Sequence, residues 1–312
     1  MLQYLVILLD DTSTSFCHYE NKNTKRKLIP IETLRQGIHF GMMENLMIQY
    51  VYPNYELPQE YQKAIESIDH SKIHPYKEGL KEGSDVWVTD KVENISSVIP
   101  VVLRINKKYL FTHEQEIAET IRKVSRLIVV LTDVESFTEE DFAHYKSLLG
   151  KLSTSLEQLY VEGKTPQLNL LTDRMMLKQM NNCGAGDTTI TLAPNGKFYV
   201  CPAFYYEDET DSIGDLEHGL DIKNKQLYRL DHAPICRHCD AWQCKRCIWL
   251  NRKTTLEVNT PSHEQCVVAH LERNASRELL TSIRKYGTFL PEQEEIKEIN
   301  YLDPFDKRDE WQ

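Results

Sequence analysis

The sequence predicts an α/β chain: an open, partial (β/α)6-type barrel followed by a small, metal-stapled, loop-rich unit that contains a β-hairpin. Three observations carry this expectation. Short apolar segments alternate with stretches of helical periodicity up to about residue 180. Seven of the eight cysteines crowd between Cys183 and Cys266. An Asn-Gly turn flanked by apolar alternation opens that cysteine-rich stretch.

The first strand is expected over 4–9. The apolar run from Met1 lacks a basic leading region, ends on Asp10 and Asp11, and is followed by no small-residue cleavage site, so it reads as a strand and not as a signal peptide. Further strands are expected over 46–51, 85–89, 101–105, 127–132 and 167–171, with helices over 31–45, 114–124 and 139–152. About six strand–helix units make an open, partial barrel. In such sheets ligands sit beyond the carboxyl ends of the strands, so the loop from Asp10 to Tyr19, the segment 52–55, Asp90, Asn106 and Asp133 are placed to line a pocket. Each of these residues taken singly reads first as an ordinary solvated loop residue.

Beyond residue 180 the texture changes. Residues 188–192, the turn Ala193-Pro-Asn-Gly196, and residues 197–201 make a hairpin, and Gly-, Asp- and Cys-rich loops follow. A stretch with so little periodicity needs staples beyond burial. A last helix is expected near 277–286, and the acidic tail over 291–312 reads as a solvated terminus. The expected organisation is thus 1–180, 181–270 and 271–312.

The 312 residues carry a formal net charge of -10 and 41% hydrophobic content, with a pI near 5.6. Such a surface repels phosphate backbones and anionic membranes, which speaks against nucleic acid as a partner. No apolar run reaches the roughly 18 to 20 residues of a membrane span, so a cytoplasmic protein is expected. Reducing conditions there disfavour disulfides.

Cys236-Arg-His-Cys239 and Cys244-Lys-Arg-Cys247 are separated by four residues. A C-x-x-C turn presents both sulfurs to one ion or cluster, while its amides donate hydrogen bonds to them. Zinc modules usually space such pairs by about 12 to 20 residues, so the tight spacing leans towards iron–sulfur, with zinc kept as the alternative. Seven cysteines also fit poorly into a pair of four-thiolate zinc sites, which together need eight. Arg237, His238, Lys245, Arg246, Arg252 and Lys253 surround the pairs as a cationic pocket, suited to compensate the charge of a thiolate cluster.

The order Cys183, Gly196-x4-Cys201, Cys236-x2-Cys239-x4-Cys244-x2-Cys247 and Cys266 resembles the SPASM domain of radical SAM enzymes that modify peptides. Ile213-Gly214-Asp215-Leu216 resembles the Gly-centred segment after its hairpin. The resemblance implies two [4Fe–4S] clusters, the first on Cys183, Cys201 and Cys247, one ligand short, and the second on Cys236, Cys239, Cys244 and Cys266. Two gaps are each one residue shorter than in that family. The first half resembles a radical SAM core in pattern and length, but the C-x-x-x-C-x-x-C motif is reduced to Cys17. Phe16-Cys17 matches its aromatic–Cys end, and Asp10 and Thr14 occupy the other two ligand positions as the remnant of a cofactor-binding loop. Val51-Tyr-Pro53-Asn-Tyr stands where a Gly-Gly-Glu-Pro-like motif helps bind S-adenosylmethionine, which speaks against ordinary cleavage of that cofactor.

The whole chain resembles the CXXX repeat peptide maturases. What the resemblance implies is maturation of a ribosomal precursor peptide with recurring cysteines, with a companion modification protein or redox partner. Two alternatives stand beside it: a non-catalytic protein that presents the peptide to a separate radical SAM enzyme, and a zinc-stabilised interaction protein. Cys17 is the candidate catalytic thiol, with His18 next to it as a candidate base.

Overall fold

The computed structural model describes residues 1–77, 85–95 and 100–304. In chain order its elements are β1 (Tyr4–Leu8), α1 (Ile31–Met43), β2 (Met47–Val51), α2 (Gln59–Ile65), β3 (His70–Pro75), β4 (Val86–Thr89), β5 (Val101–Ile105), α3 (Lys107–Thr112), α4 (Glu114–Ile121), β6 (Arg126–Leu131), α5 (Glu139–Val161), β7 (Gln167–Leu168) and α6 (Asp173–Met176). Then follow β8 (Thr189–Leu192), β9 (Phe198–Tyr199), α7 (Pro202–Glu207), β10 (Gly214–Asp215), β11 (Gly219–Leu220), α8 (Ile248–Thr255) and α9 (His263–Ile283).

Nine strands form one open sheet in the order β7-β6-β5-β4-β3-β2-β1-β8-β9. All neighbours are parallel except the β8–β9 hairpin. The hairpin closes on Gly196 at φ +79°, the left-handed conformation that its turn requires. It joins the same sheet as the first half of the chain, because β8 pairs with β1 from Tyr4↔Thr189 to Ile7↔Leu192.

The strands are apolar because helices cover them. Leu5, Ile7 and Leu8 are wholly buried. Helix α1 lies close against β1, β2 and β8 through Gly37 and Gly41, where an added Cβ would run into the side chains of Leu192 and Ile48. On the other half of the sheet, α5 and α9 pack together over β5, β6 and β7. Each opens on a capping box, Thr138 with Asp141 and Ser262 with Gln265.

Several expectations need correction. Strand β3 lies outside the expected set, and its sequence explains why: of His70–Pro75 only Ile73 is buried. The strand expected over 167–171 stops at Leu168, because the Asn169 side chain takes over the ladder, accepting from Val129 N at 2.8 Å and donating to Val129 O at 2.9 Å. The cysteine-rich region holds α7, α8 and the first turns of α9 as well as loops. The last helix begins at His263, well before the expected 277, so Cys266 stands on a helix. The tail as far as 304 stays largely exposed but is pinned to the fold at points the sequence does not announce: Ile296 and Asp303 are buried, and Arg284 donates to the carbonyls of Leu290 and Gln293, both at 2.9 Å. Residues 305–312 of that tail lie outside the described residues.

Candidate metal centre

The loop after β1 is fixed by polar bonds. Asp10 is fully buried, and its carboxylate accepts from Thr12 N at 2.8 Å, from the Thr12 hydroxyl and from the Tyr55 hydroxyl at 2.8 Å. Ser13 donates to Val51 O, Thr14 N to Tyr52 O, and the Asn21 amide to the carbonyls of Asp11 and Ser13. Phe16 packs edge-on against Tyr19 at 5.9 Å. Arg104 on β5 donates from Nε to Cys17 O at 2.7 Å and from Nη2 to Tyr19 O at 2.5 Å. The loop offers one thiol where a radical SAM cluster takes three, and the Asp10 carboxylate is already committed. These residues do not fit that group.

His18 does not serve Cys17. Its Nδ1 lies 2.8 Å from Leu131 O, and burial pushes its pKa down. Burial also pushes the Cys17 thiol up, and Cys183 and Cys247 raise it further, while Arg104 and Lys245 oppose them. The loop thus turns its only thiol towards the cysteine-rich region.

That region sorts its thiols into two groups. Burial raises Cys201, and Cys247 and Cys183 act on it next; burial raises Cys247 to about 12, with Cys183 the next cause. Cys201 and Cys247 are the N-cap residues of α7 and α8 without a side-chain cap hydrogen bond, and the first amides of each helix, Ala203 and Phe204 at Cys201 and Trp249 and Leu250 at Cys247, act against the rise by favouring the thiolate. A helix N-terminus favours a thiolate. Pro202 at the first turn of α7 is pre-set for that position. The two helices are tied together by Trp249 Nε1 donating to Glu207 at 2.8 Å and by Arg252, which donates to Glu207 at 2.9 Å and to Asp211 at 2.5 Å. Cys183 completes this side as the most exposed of the eight cysteines.

Cys236, Cys239, Cys244 and Cys266 form the second group. Burial raises Cys236 to about 11 and Cys244 to about 12; Cys239 acts on the former and both Cys236 and Cys239 on the latter. Burial pushes Cys266 up as well, helped by Cys244, Cys236 and Cys239. Ala241 N donates to Cys239 Sγ and Arg246 N to Cys244 Sγ, each at 3.4 Å. Asp240, between the two C-x-x-C turns, is clamped to α9 by Arg273, with Nε at 3.0 Å and Nη2 at 2.6 Å. Burial raises that carboxyl, but Arg273 and Arg174 outweigh it and hold the pKa below the usual range. Among the described residues, no set of three His, Cys, Asp or Glu side chains is drawn in tightly enough to hold a single metal ion.

The expected cationic pocket is largely neutralised. Arg252 is held by Glu207 and Asp211, Lys253 by Glu135 and Lys245 by Asp173, while Arg246 donates to the carbonyls of Tyr228 and Arg229. Two residues escape a reading of the sequence. His270, one turn beyond Cys266, places Nε2 3.4 Å from Cys239 Sγ; its Cys-x3-His spacing on a helix is the signal that would have found it. Glu272 is buried, accepts from Tyr145 at 2.7 Å, and is raised by burial to about 7. It lines a cavity of about 110 Å³ between β6 and the cysteine turns, together with His18, Cys244, Cys247 and Lys245. No sequence pattern marks it.

The carboxyl ends of the strands open into a larger space. A cavity of about 520 Å³ is lined by His18, Glu20, Asp90, Arg104, Asn106 and Asp133, among others. A neighbour of about 270 Å³ shares Asp90 and Arg104 with it and adds Thr14 and Ser15. Three expected strand-end residues, Asp90, Asn106 and Asp133, therefore share one mouth. Burial raises the Asp133 carboxyl although Lys107 N donates to it.

Among the described residues no helix is long and apolar enough to cross a membrane. No family model matches the sequence, and no curated protein is similar to it in sequence. Solved structures are similar. Polyhistidine-tagged anSMEcpe with bound AdoMet matches at a TM-score of 0.60 and 11% identity, over 91% of this chain and 96% of that one. Native anSMEcpe with bound AdoMet and Kp18Cys peptide matches at 0.58 and 10%, over 90% and 99%. The same protein with Cp18Cys peptide matches at 0.58 and 13%, again over 90% and 99%. At such identities the likeness is one of fold, and the shared fold is an open, partial α/β barrel.

Proposed function

We propose that this chain acts in the maturation of a cysteine-rich, CXXX-repeat ribosomal peptide as a radical SAM/SPASM-related protein that carries iron–sulfur clusters. One observation carries the reading: the C-terminal cysteines fall into two groups, beside the strand-end mouth of a fold shared with chains that hold AdoMet and peptides. Cys183, Cys201 and Cys247 would hold a first cluster, and Cys236, Cys239, Cys244 and Cys266 a second. The donor chemistry fits. A four-iron cluster takes one thiolate per iron around a common space, and here Cys239 and Cys244 carry amide donors while Arg104 and Arg246, which donate to carbonyls, keep charge that offsets a net negative cluster. Bound clusters would supply electron transfer or ligation of a substrate thiolate. The chain's own part is to receive the peptide along Glu20, Asp90, Asn106 and Asp133, with Arg104 fixing the floor of that mouth through the Cys17 and Tyr19 carbonyls.

A second reading has a specific observation in its favour. Asp10 stands at a cluster-ligand position with its carboxylate engaged by Thr12 and Tyr55, which suits a protein that presents the peptide to a separate radical SAM enzyme. Anaerobic purification with iron, sulfide and zinc quantification tests the cluster reading: about eight irons per chain are expected for two cubanes, and one or two zincs without sulfide would remove it. Incubation with AdoMet, reductant and peptide then separates the two roles. Release of 5′-deoxyadenosine by the chain alone would sink the presenting role.

A further inference from the structure

We propose that Cys17 is the fourth thiolate of the first metal site, so that the single cysteine of the β1 loop closes a site otherwise built from Cys183, Cys201 and Cys247. The proposal rests on the cluster reading above and changes its ligand count from seven to eight. It also gives Cys17 a role other than nucleophile.

Placement of the loop is the first argument. Arg104 on β5 holds the Cys17 and Tyr19 carbonyls, and His18 holds the end of β6, so Cys17 and the two residues after it are anchored to the sheet. From the other side α7, the helix that starts on Cys201, grips the same loop: Tyr205 donates to Asp11 at 2.5 Å, and Tyr206 stacks on Tyr19 at 5.6 Å. Helix α8, which starts on Cys247, is bonded to α7 through Trp249 and Arg252. His18 and Cys247 line one cavity. The loop that carries Cys17, the two N-cap cysteines and their helices therefore form one bonded unit.

Charge is the second argument. The groups that act on the Cys17 thiol are Cys183 and Cys247 on one side and Arg104 and Lys245 on the other. Cys17 and Cys247 lie away from solvent beside Arg104, and Cys183 stands at the exposed edge of the same group, so the thiols lack only a positively charged core. On binding, the Cys17 thiol gives its proton to solvent and its sulfur to iron, with no change of oxidation state. The bond would also join the β1 loop to the cysteine-rich region across most of the chain, where an unlinked loop has the most freedom to lose.

The test uses the full chain, reconstituted anaerobically, and reads EPR of the reduced clusters with iron and sulfide per chain. In the triple variant Cys236→Ala, Cys239→Ala, Cys244→Ala, which removes three of the four second-site ligands, the remaining signal reports the first site. There, added cyanide or a small thiol is expected to leave the spectrum unchanged, because every iron is occupied; a shift would show an open iron and overturn the proposal without any change at Cys17. Cys17→Ser in the same background is expected to move the g-values, to let cyanide bind, and to lower first-site iron by half or more. An unchanged spectrum and iron content would equally overturn the proposal. A chain that holds zinc and no sulfide defeats the cluster reading instead. Cys17 is then judged by zinc per chain, where loss of one ion in Cys17→Ser sustains the four-thiol site and retention rejects it.

Discussion

The two cysteine groups are built by different means. Cys236, Cys239 and Cys244 lie within one short run of sequence, and a single helix adds Cys266 and His270 to them. The other group draws Cys183, Cys201 and Cys247 from a loop and two helix caps, with the β1 loop brought against them by the sheet. The first design is written in local spacing and the second in tertiary structure. Their charge compensation differs in the same way. Arg246 lies one residue from Cys247 and acts on Cys236, whereas Arg104 reaches Cys17 from a strand on the far side of the barrel mouth.

The largest separation between the two groups is expected from Asp240→Asn. Arg273 is fully buried, and Asp240 supplies its countercharge, so the substitution leaves a guanidinium shut in without a full partner. Removing one member of a fully buried pair costs about 3 kcal/mol or more, and because Asp240 is 37% exposed the loss here is smaller, about 1 to 2 kcal/mol. Anaerobic urea unfolding is expected to show that loss. The second-site EPR signal should weaken, because Asp240 adjoins Cys239, while the first-site signal stays. Equal loss of both signals would mean that the groups are one cooperative unit.

Glu272 sharpens the comparison through pH. It packs against the second group, and burial lifts its folded pKa from 4.5 to about 7. The folded chain therefore holds this proton more tightly than the unfolded one. Stability is fullest below about pH 4.5, falls as pH rises towards 7, and reaches its lowest level above that. A shift of this size corresponds to about 3 kcal/mol. Glu272→Gln keeps an acceptor for Tyr145 and removes the proton, so its unfolding free energy should lack the decline that the wild type shows from about pH 5 to 8. Parallel curves for the two proteins would place the pH dependence elsewhere.

The local group was legible in the sequence and the assembled one only in part. The two C-x-x-C pairs announce themselves by spacing, and so does the hairpin, whose Asn-Gly turn forms with Gly196 left-handed. Most strands were legible as apolar runs, since parallel strands covered by helices must be apolar. Strand β3 was not, because four of its six side chains are polar and only Ile73 is buried. Cys17 was visible only as a remnant of a motif. Nothing in the linear order says that Arg104 and α7 would hold its loop against Cys247, because that information lies in which strand neighbours which. Glu272 was hidden for a related reason: a carboxyl on an amphipathic helix reads as solvated until α5 covers it with Tyr145.

The smallest effect falls on the assembled group. Trp249→Phe removes the indole N–H that ties α8 to α7 while leaving most of the ring's packing. Its partner Glu207 still has Arg252, so no carboxylate is stranded. A hydrogen bond to a charged group contributes about 1.5 to 3 kcal/mol, and the partial exposure of this one argues for about 1 kcal/mol. Because α7 and α8 cap on Cys201 and Cys247, loosening their tie should broaden the first-site EPR signal and leave the second unchanged. The reverse pattern would mean that the caps are positioned by the cysteine turns themselves. The assembled group would then be as local in origin as the other.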